Sequence, residues 1–418
     1  MIVILVYIIG IRTFLVNILS PRTFALANPD LYMGMDVTEN ALLVSIGQFG
    51  TSFFWLACLI GIVFGVYHWR LNLPRRGVLI TMAGLFLYVP VVLSSFVSEN
   101  GGFSYKLFFF PLLIITVYLS PRFDLIQGVK KISPLFLGFI YASLISIFLN
   151  PTWAYSIYSD SLIGIPIRLF GVAEHPNSLG YLALFYLVLA RLSTKKTFWW
   201  YVHQIAAMIV LILAQSKTAW AALIFWLILE WLIKNASMSR QGTARVLSAA
   251  LVFALLAAMY LLLYQQDFMS SVTNYNITLT GRTSVWRITL DTWLQDPILG
   301  HGPTLWNLDF RQQYYISWAG QAHNQFLHTL GESGLIGVFG LLFYFLVLIY
   351  LGSRYVDVTN FSSLGLVIII LVRSFTESPF RNYYLDGSFL FHAILFIVLV
   401  HSESLLESST KGLQINST

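Results

Sequence analysis

Arg282 and His323 are the residues of this chain best suited to chemistry, and both stand in one polar stretch, 281–337, of an otherwise apolar sequence. A guanidinium is a planar fork that grips two phosphate oxygens at once. Arg282 follows Gly281 at the start of a predicted helix, where glycine lets a backbone approach an anion and the helix N-terminus adds partial positive charge. Imidazole can take a proton from an attacking hydroxyl, or hold that oxygen while neutral. A cation for a departing phosphate and an imidazole for an incoming hydroxyl together equip a site for group transfer from a diphosphate. Each also has a structural reading: Arg282 as an arginine snorkelling at an interface, His323 as a capping or packing residue before the apolar run that follows.

Other residues extend the pair. Arg168 and Lys217 are read with Arg282 as a diphosphate clamp, Lys217 alternatively as an ordinary interfacial lysine; Arg287, Arg311, Arg373 and Arg381 are the other candidate cations on the same side. Glu174 and His175, in EHPNSLG, offer a base beside an imidazole, or a structural loop pair ahead of a helix capped by Asn177 or Ser178. Asn324 reads as a hydrogen-bond partner or N-cap. Arg373 and Glu377, four apart, are expected to form an ion pair at a helix end, and Arg287 and Asp291 another on a surface helix. His301 and His328 are weaker candidates. Gly334 and Gly337 share a helical face and read as a close-packing surface. With no cluster of two carboxylates or closely spaced histidines in a helix, and no DxD-like pair in an external loop, no metal and no cofactor are expected. The single cysteine, Cys58, lies in an apolar run and leaves no disulfide.

The elements that must position these groups follow from composition. With 57% hydrophobic and only 10% charged residues in 418, the chain reads as an all-α polytopic membrane protein. About twelve spans are predicted, at 2–19, 45–66, 77–97, 105–119, 134–149, 178–192, 199–213, 218–233, 246–264, 334–351, 363–375 and 388–401. The first lacks a basic leader and cleavage site and reads as retained. Lysines and arginines fall on alternate connections: Arg70, Arg75 and Arg76; Arg122, Lys130 and Lys131; Arg191, Lys195 and Lys196; Lys234, Arg240 and Arg245; then Arg354. The other connections are acidic or mixed, with Asp30, Asp36, Glu39, Glu99, Asp160, Glu174, Asp267 and Asp296. The positive-inside rule therefore puts the N-terminus inside and the polar stretch outside, and explains most of the net charge of +6 without nucleic acid.

The organisation expected is nine helices over 1–264, a large extracytoplasmic loop at 265–333, three helices over 334–401, and a disordered cytoplasmic tail at 402–418. A loop that long reads as functional. Within it Thr283 is a predicted N-cap for a surface helix ending near 294, with Val285, Trp286, Ile288, Thr289 and Trp293 on its apolar side, and Pro297 and Gly300 stopping it. Such a helix would roof a cavity at the membrane surface. Trp286, Trp306, Tyr314, Tyr315 and Trp318 are read as sugar-stacking faces or interfacial anchors. No internal repeat supports the two matching halves of a transporter, the competing class.

His323 and Asn324, nine residues, Gly334, two residues and Gly337 form a spacing that resembles the signature of the bacterial O-antigen ligase and O-antigen polymerase superfamily. GVAEHPNSLG, AQSKTAW, GRTSVW and DPILGHGP extend the resemblance, in order, over the middle and C-terminal half. It implies a GT-C-like glycosyltransferase of the bacterial inner membrane, acting on the periplasmic face. The donor would be an undecaprenyl-diphosphate-linked glycan and the acceptor a sugar hydroxyl on a glycan or on lipid A-core, with inversion and without metal. Arg282, Lys217 and Arg168 would hold the diphosphate and His323 would act on the acceptor. Relatives of the ligase type carry an arginine where this chain has Lys217; the SKT form resembles exopolysaccharide polymerases of the succinoglycan type. A polymerase of exopolysaccharide or O-antigen repeat units is thus expected, with a flippase and a chain-length regulator as partners. The alternative is a ligase completing lipopolysaccharide, or modifying protein.

Overall fold

The computed structural model describes residues 1–19, 41–68, 77–98, 102–120, 123–158, 161–193, 195–264, 282–381 and 384–415. Gly281 with the loop residues before it, and the topological markers Arg70, Arg75, Arg76 and Arg122, lie outside the described residues.

Each predicted span falls on a helix, as it must where lipid offers no partner for backbone polar groups. The helices are α1 (Ile2–Leu19), α2 (Ala41–His68), α3 (Val78–Val97), α4 (Phe109–Leu119), α5 (Leu125–Leu149), a single turn α6 (Pro151–Ala154), α7 (Pro176–Leu189), α8 (Phe198–Leu213), α9 (Lys217–Asn235) and α10 (Arg240–Tyr264). The polar stretch adds α11 (Arg282–Trp293) and α12 (Leu308–Gln313), and α13 (Gln325–Arg354), α14 (Ser362–Thr376) and α15 (Gly387–Ile415) close the chain.

Among the described residues eight helices, α1, α2, α3, α5, α9, α10, α13 and α15, are long and apolar enough to cross a membrane. The other four at predicted spans, α4, α7, α8 and α14, have 11 to 16 residues, or ~16–24 Å against a hydrocarbon core of ~30 Å. Length and composition therefore carry eight crossings, not twelve. Burial explains two of the short helices: α7 and α14 are buried almost all round, the mark of helices inside a bundle. By contrast α2 exposes Phe53, Leu56, Ile60, Val63 and Phe64, a lipid-like face.

The all-α expectation needs one amendment. Tyr155–Ile157 (β1) and Ile167–Leu169 (β2) pair antiparallel, Ser156 opposite Arg168. The tail is a second correction. α15 runs through 402 to Ile415 rather than ending at 401, because Glu403 accepts from Arg354 at 2.9 Å and from the Tyr355 hydroxyl at 2.8 Å.

Gly334 is a third. It does not begin a helix or pack one against another; it breaks α13, at φ 59°, ψ −157°, a conformation open essentially only to glycine. The unwound turn is stitched to the DPILGHGP loop: Leu335 N–H donates to Pro297 O (2.9 Å), His301 N–H to Gly331 O (2.8 Å) and Gly302 N–H to Glu332 O (2.9 Å). The Ser94 and Ser98 hydroxyls on and beside α3 also donate to carbonyls here, of Glu332 at 2.6 Å and Gly300 at 2.7 Å. Backbone groups freed at a break within an apolar bundle are satisfied this way.

Candidate active site

The segment from α11 to the start of α13 has a small core of its own. Val285, Trp286, Leu305, Trp306, Ile316, Ala319, Ala322 and Leu327 pack together, and the Trp286 indole N–H donates to Ala322 O at 3.0 Å. Thr283 is buried in the first turn of α11 rather than capping it. Trp286 is therefore a core residue, not a sugar platform; Trp306 packs in the same core but also lines a smaller space beside the main cavity. Trp318 is exposed and stacks on the His323 ring at 5.9 Å.

This segment covers a cavity of about 720 Å³. Arg282, at the first position of α11, and His323, just before α13, both line it. What joins them is Glu377, one residue past the end of α14. Its carboxylate takes Arg282 at 3.2 Å on Oε1 and His323 Nδ1 at 3.1 Å on Oε2. Gln321 donates to Oε2 at 2.9 Å and Asn177 to Oε1 at 3.3 Å. His323 holds φ at 50°, a left-handed backbone uncommon in a side-chain-bearing residue and frequent at functional sites.

The predicted Arg373–Glu377 pair does not form. Glu377 leaves the helix in an extended conformation and turns to the roof, while Arg373 donates to Ser388 Oγ at 2.9 Å and lies over the rings of Tyr181 and Phe391. Arg373 is buried, and its Nε and one terminal nitrogen have no hydrogen-bond partner among the described residues. A pinned guanidinium with unspent donors beside a cavity is suited to an anion.

Arg168 stands behind this front. The β1–β2 pairing brings it over Tyr158 at 4.9 Å, and it donates to Asn177 Oδ1 (2.7 Å) and Ala214 O (3.2 Å). It thus reaches Glu377 through Asn177. Glu174 and His175 line the cavity, but His175 is first a cap: its Nδ1 accepts from Asn177 N–H at 3.1 Å. Burial pulls His175 down to about 4, with Arg168 adding to burial and Glu377 opposing it. Burial raises Glu174, and Asp386 adds to that against Arg381 and Arg373. For Glu377 burial also pushes upward, but the His323 hydrogen bond and charge, with Arg282 and Arg373, win and hold it at about 2.

Asn324 is structural. It caps α13 through Leu327 N–H (3.1 Å) and donates to Phe375 O (3.1 Å), fixing α13 to the end of α14. Lys217 and Arg287 are exposed and are not among the residues lining the cavity. His301 bonds Thr292 O at 2.7 Å, and His328 lies 3.1 Å from Glu332 under Trp306; neither lines the cavity.

Several lining residues were not among the predicted site residues: Glu377 as the hub, and Arg12, Lys106, Gln321 and Asp386. Arg12 lies within α1 and donates to Gly47 O at 3.5 Å and to Leu385 O. A Cβ on Gly50 would come within 2.7 Å of its side chain, so GQFG on α2 is a trough for it. An arginine inside a predicted span, facing two glycines three apart, was the available signal. Altogether Arg12, Lys106, Arg282, Arg373 and Arg381 face Glu174, Glu377 and Asp386 across the cavity, an excess of positive charge before any substrate enters.

Residues 204–342, from within α8 to the middle of α13, match the family described as O-antigen ligase. Over this segment, about a third of the chain, the protein is similar to the O-antigen ligase family. The family segment contains Lys217, Arg282 and His323, while Arg168, Glu174, His175, Arg373 and Glu377 are brought to it from outside its bounds. Comparison with curated proteins gives no match. Family and apolar helices together describe a multi-pass membrane protein of the glycosyl-transferring O-antigen ligase type.

Proposed function

We propose that the protein is a metal-independent, inverting glycosyltransferase that moves an undecaprenyl-diphosphate-linked oligosaccharide onto a sugar hydroxyl, polymerising exopolysaccharide or O-antigen repeat units. The observation that carries this reading is Glu377 holding Arg282 and His323 side by side in one cation-rich cavity.

In this reading Glu377 accepts the His323 Nδ1–H and so leaves Nε2 as the acceptor of a proton. The hydroxyl of the acceptor sugar loses its proton to Nε2 as its oxygen attacks the anomeric carbon of the donor. The bond from that carbon to the diphosphate breaks, and the lipid diphosphate leaves with the bonding electrons. Arg282 and Arg373 face the charge that grows on it, and Arg168 positions Glu377 through Asn177. Lys217, exposed and outside the cavity lining, is given no contact with the diphosphate in this reading. Every connection that delivers a residue to the cavity, before α4, α7, α11, α13 and α15, is one that alternation of the basic loops assigns to the outer side, which supports a periplasmic site in the inner membrane.

The SKT sequence at 216–218 favours polymerisation over ligation to lipid A-core. Replacing Arg282 with alanine is expected to abolish polymer while the protein still accumulates in the membrane; polymer at normal length and yield refutes the assignment. Analysis of lipid-linked glycans in a deletion strain separates the two roles, since single repeat units accumulate without a polymerase and long unattached polymer without a ligase.

A further inference from the structure

Beside the main cavity lies an annex of about 300 Å³, between the turn leading into α4 and the loop leading into α12. The two spaces share Lys106, Gly320, Arg381 and Tyr384, so they adjoin along these four residues, the neck between them. Gly320 is three residues before His323, which puts the neck on the side where the reading above, on which this inference rests, places the acceptor. The annex wall carries the two cations of the neck and no carboxylate among the described residues. The Arg381 guanidinium lies 4.8 Å over the Tyr384 ring, which orders both. Ser104 and Asn307 add short polar groups. The wall is closely built: Gly102 has φ 53°, and a Cβ there would come within 2.4 Å of Thr304.

The diphosphate is provided for by Arg282 beside Glu377. A separate space with an aromatic face, hydroxyl and amide groups and two cations therefore calls for a different ligand, a sugar bearing a negative charge. We propose that the annex binds a carboxylate-bearing sugar of the acceptor glycan, next to the one that reacts, and so selects acidic over neutral acceptors.

Ser104 gives the test a clean handle. Its hydroxyl accepts from Lys106 N–H at the start of a short turn; aspartate keeps that capping role while adding a negative charge to the annex, and Ser104 does not line the main cavity. Binding of tri-galacturonate and of maltotriose would be measured with full-length protein in nanodiscs of zwitterionic lipid, with inorganic pyrophosphate as the probe of the diphosphate site. The acidic trisaccharide is expected to bind about tenfold more tightly than the neutral one, and Ser104→Asp and Lys106→Gln to weaken it by about tenfold. The preference should fade with added salt. Ser104→Asp is expected to leave pyrophosphate affinity unchanged, and pyrophosphate not to compete with the trisaccharide. Equal affinity for the two trisaccharides, indifference to both substitutions, or competition by pyrophosphate overturns the proposal. Failure of the transferase reading registers separately, as pyrophosphate affinity that Arg282→Ala does not change.

Discussion

Glu377→Gln perturbs the centre of the site while keeping its shape. The carboxylate now accepts from four donors, on Arg282, His323, Gln321 and Asn177. An amide oxygen has two lone pairs and the amide nitrogen is itself a donor, so at least two of the four lose their partner. At 3.2 Å the Arg282–Glu377 attraction is ~5 kcal/mol at an effective dielectric of ~20, before desolvation. Stranding one member of such a buried pair costs about 3–5 kcal/mol. Substrate changes the balance, because a bound diphosphate restores an anion to Arg282 but nothing restores an acceptor to His323 Nδ1. The loss should therefore fall on turnover. We expect kcat to drop ~10²–10⁴-fold, the range for positioned acid–base assistance, equivalent to about 3–5 kcal/mol of barrier, with the donor KM changing far less. The assay is transfer in proteoliposomes from a lipid-linked oligosaccharide to a soluble glycan, with protein level matched by immunodetection. Turnover within about threefold of wild type, or a loss confined to KM, would show that Glu377 does not act through His323.

Gly334→Ala places a Cβ 2.3 Å from Ile298 O in a backbone that alanine avoids, so a loss of about 3 kcal/mol or more is expected; an unchanged melting temperature in detergent refutes the broken-helix account. His175→Asn keeps a capping acceptor for α7, and His175 itself, held at about 4, is neutral from pH 5 to 8. The shape of the pH–rate profile in that window should survive the change, and a displaced limb would mean that His175 titrates in the reaction. Glu377 lies below its unfolded value, at about 2, so its charge contributes stability present above the ordinary carboxylate range and lost as pH falls toward 2. The gap in melting temperature between wild type and Glu377→Gln should be constant from pH 5 to 8 and close below about 4.5; a gap that widens on acidification contradicts the sign.

Helix positions were readable from the sequence because lipid allows one solution to the backbone hydrogen-bond problem: an apolar run of sufficient length is a helix wherever it packs. That Arg282 and His323 would stand at one cavity was readable too, since each is a polar group at the edge of such a run. Where periodicity was trusted over chain ends, the reading failed. Arg373 and Glu377 share a helical spacing, but α14 stops between them, and the extended residue after a helix end points where the next contact draws it. The tail from 402 reads as polar and unstructured until Glu403 meets Arg354 and Tyr355, residues far away in sequence.

Gly334 shows the same limit from the other side. Two glycines three apart before an apolar run fit a helix-packing face, and nothing local distinguishes that from a break. The distinction lies in DPILGHGP, whose backbone supplies the hydrogen bonds that make an unwound turn tolerable. In this chain the two motifs are joined for one structural reason: the first is the patch for the hole in the second. The break starts a fresh helix at Leu335, so the short stretch before it, carrying Asn324 and following His323, is set by the roof and by Phe375 O rather than by the membrane-crossing part of α13. His323 is in this way held against Glu377 at the end of α14, the contact on which turnover is expected to depend.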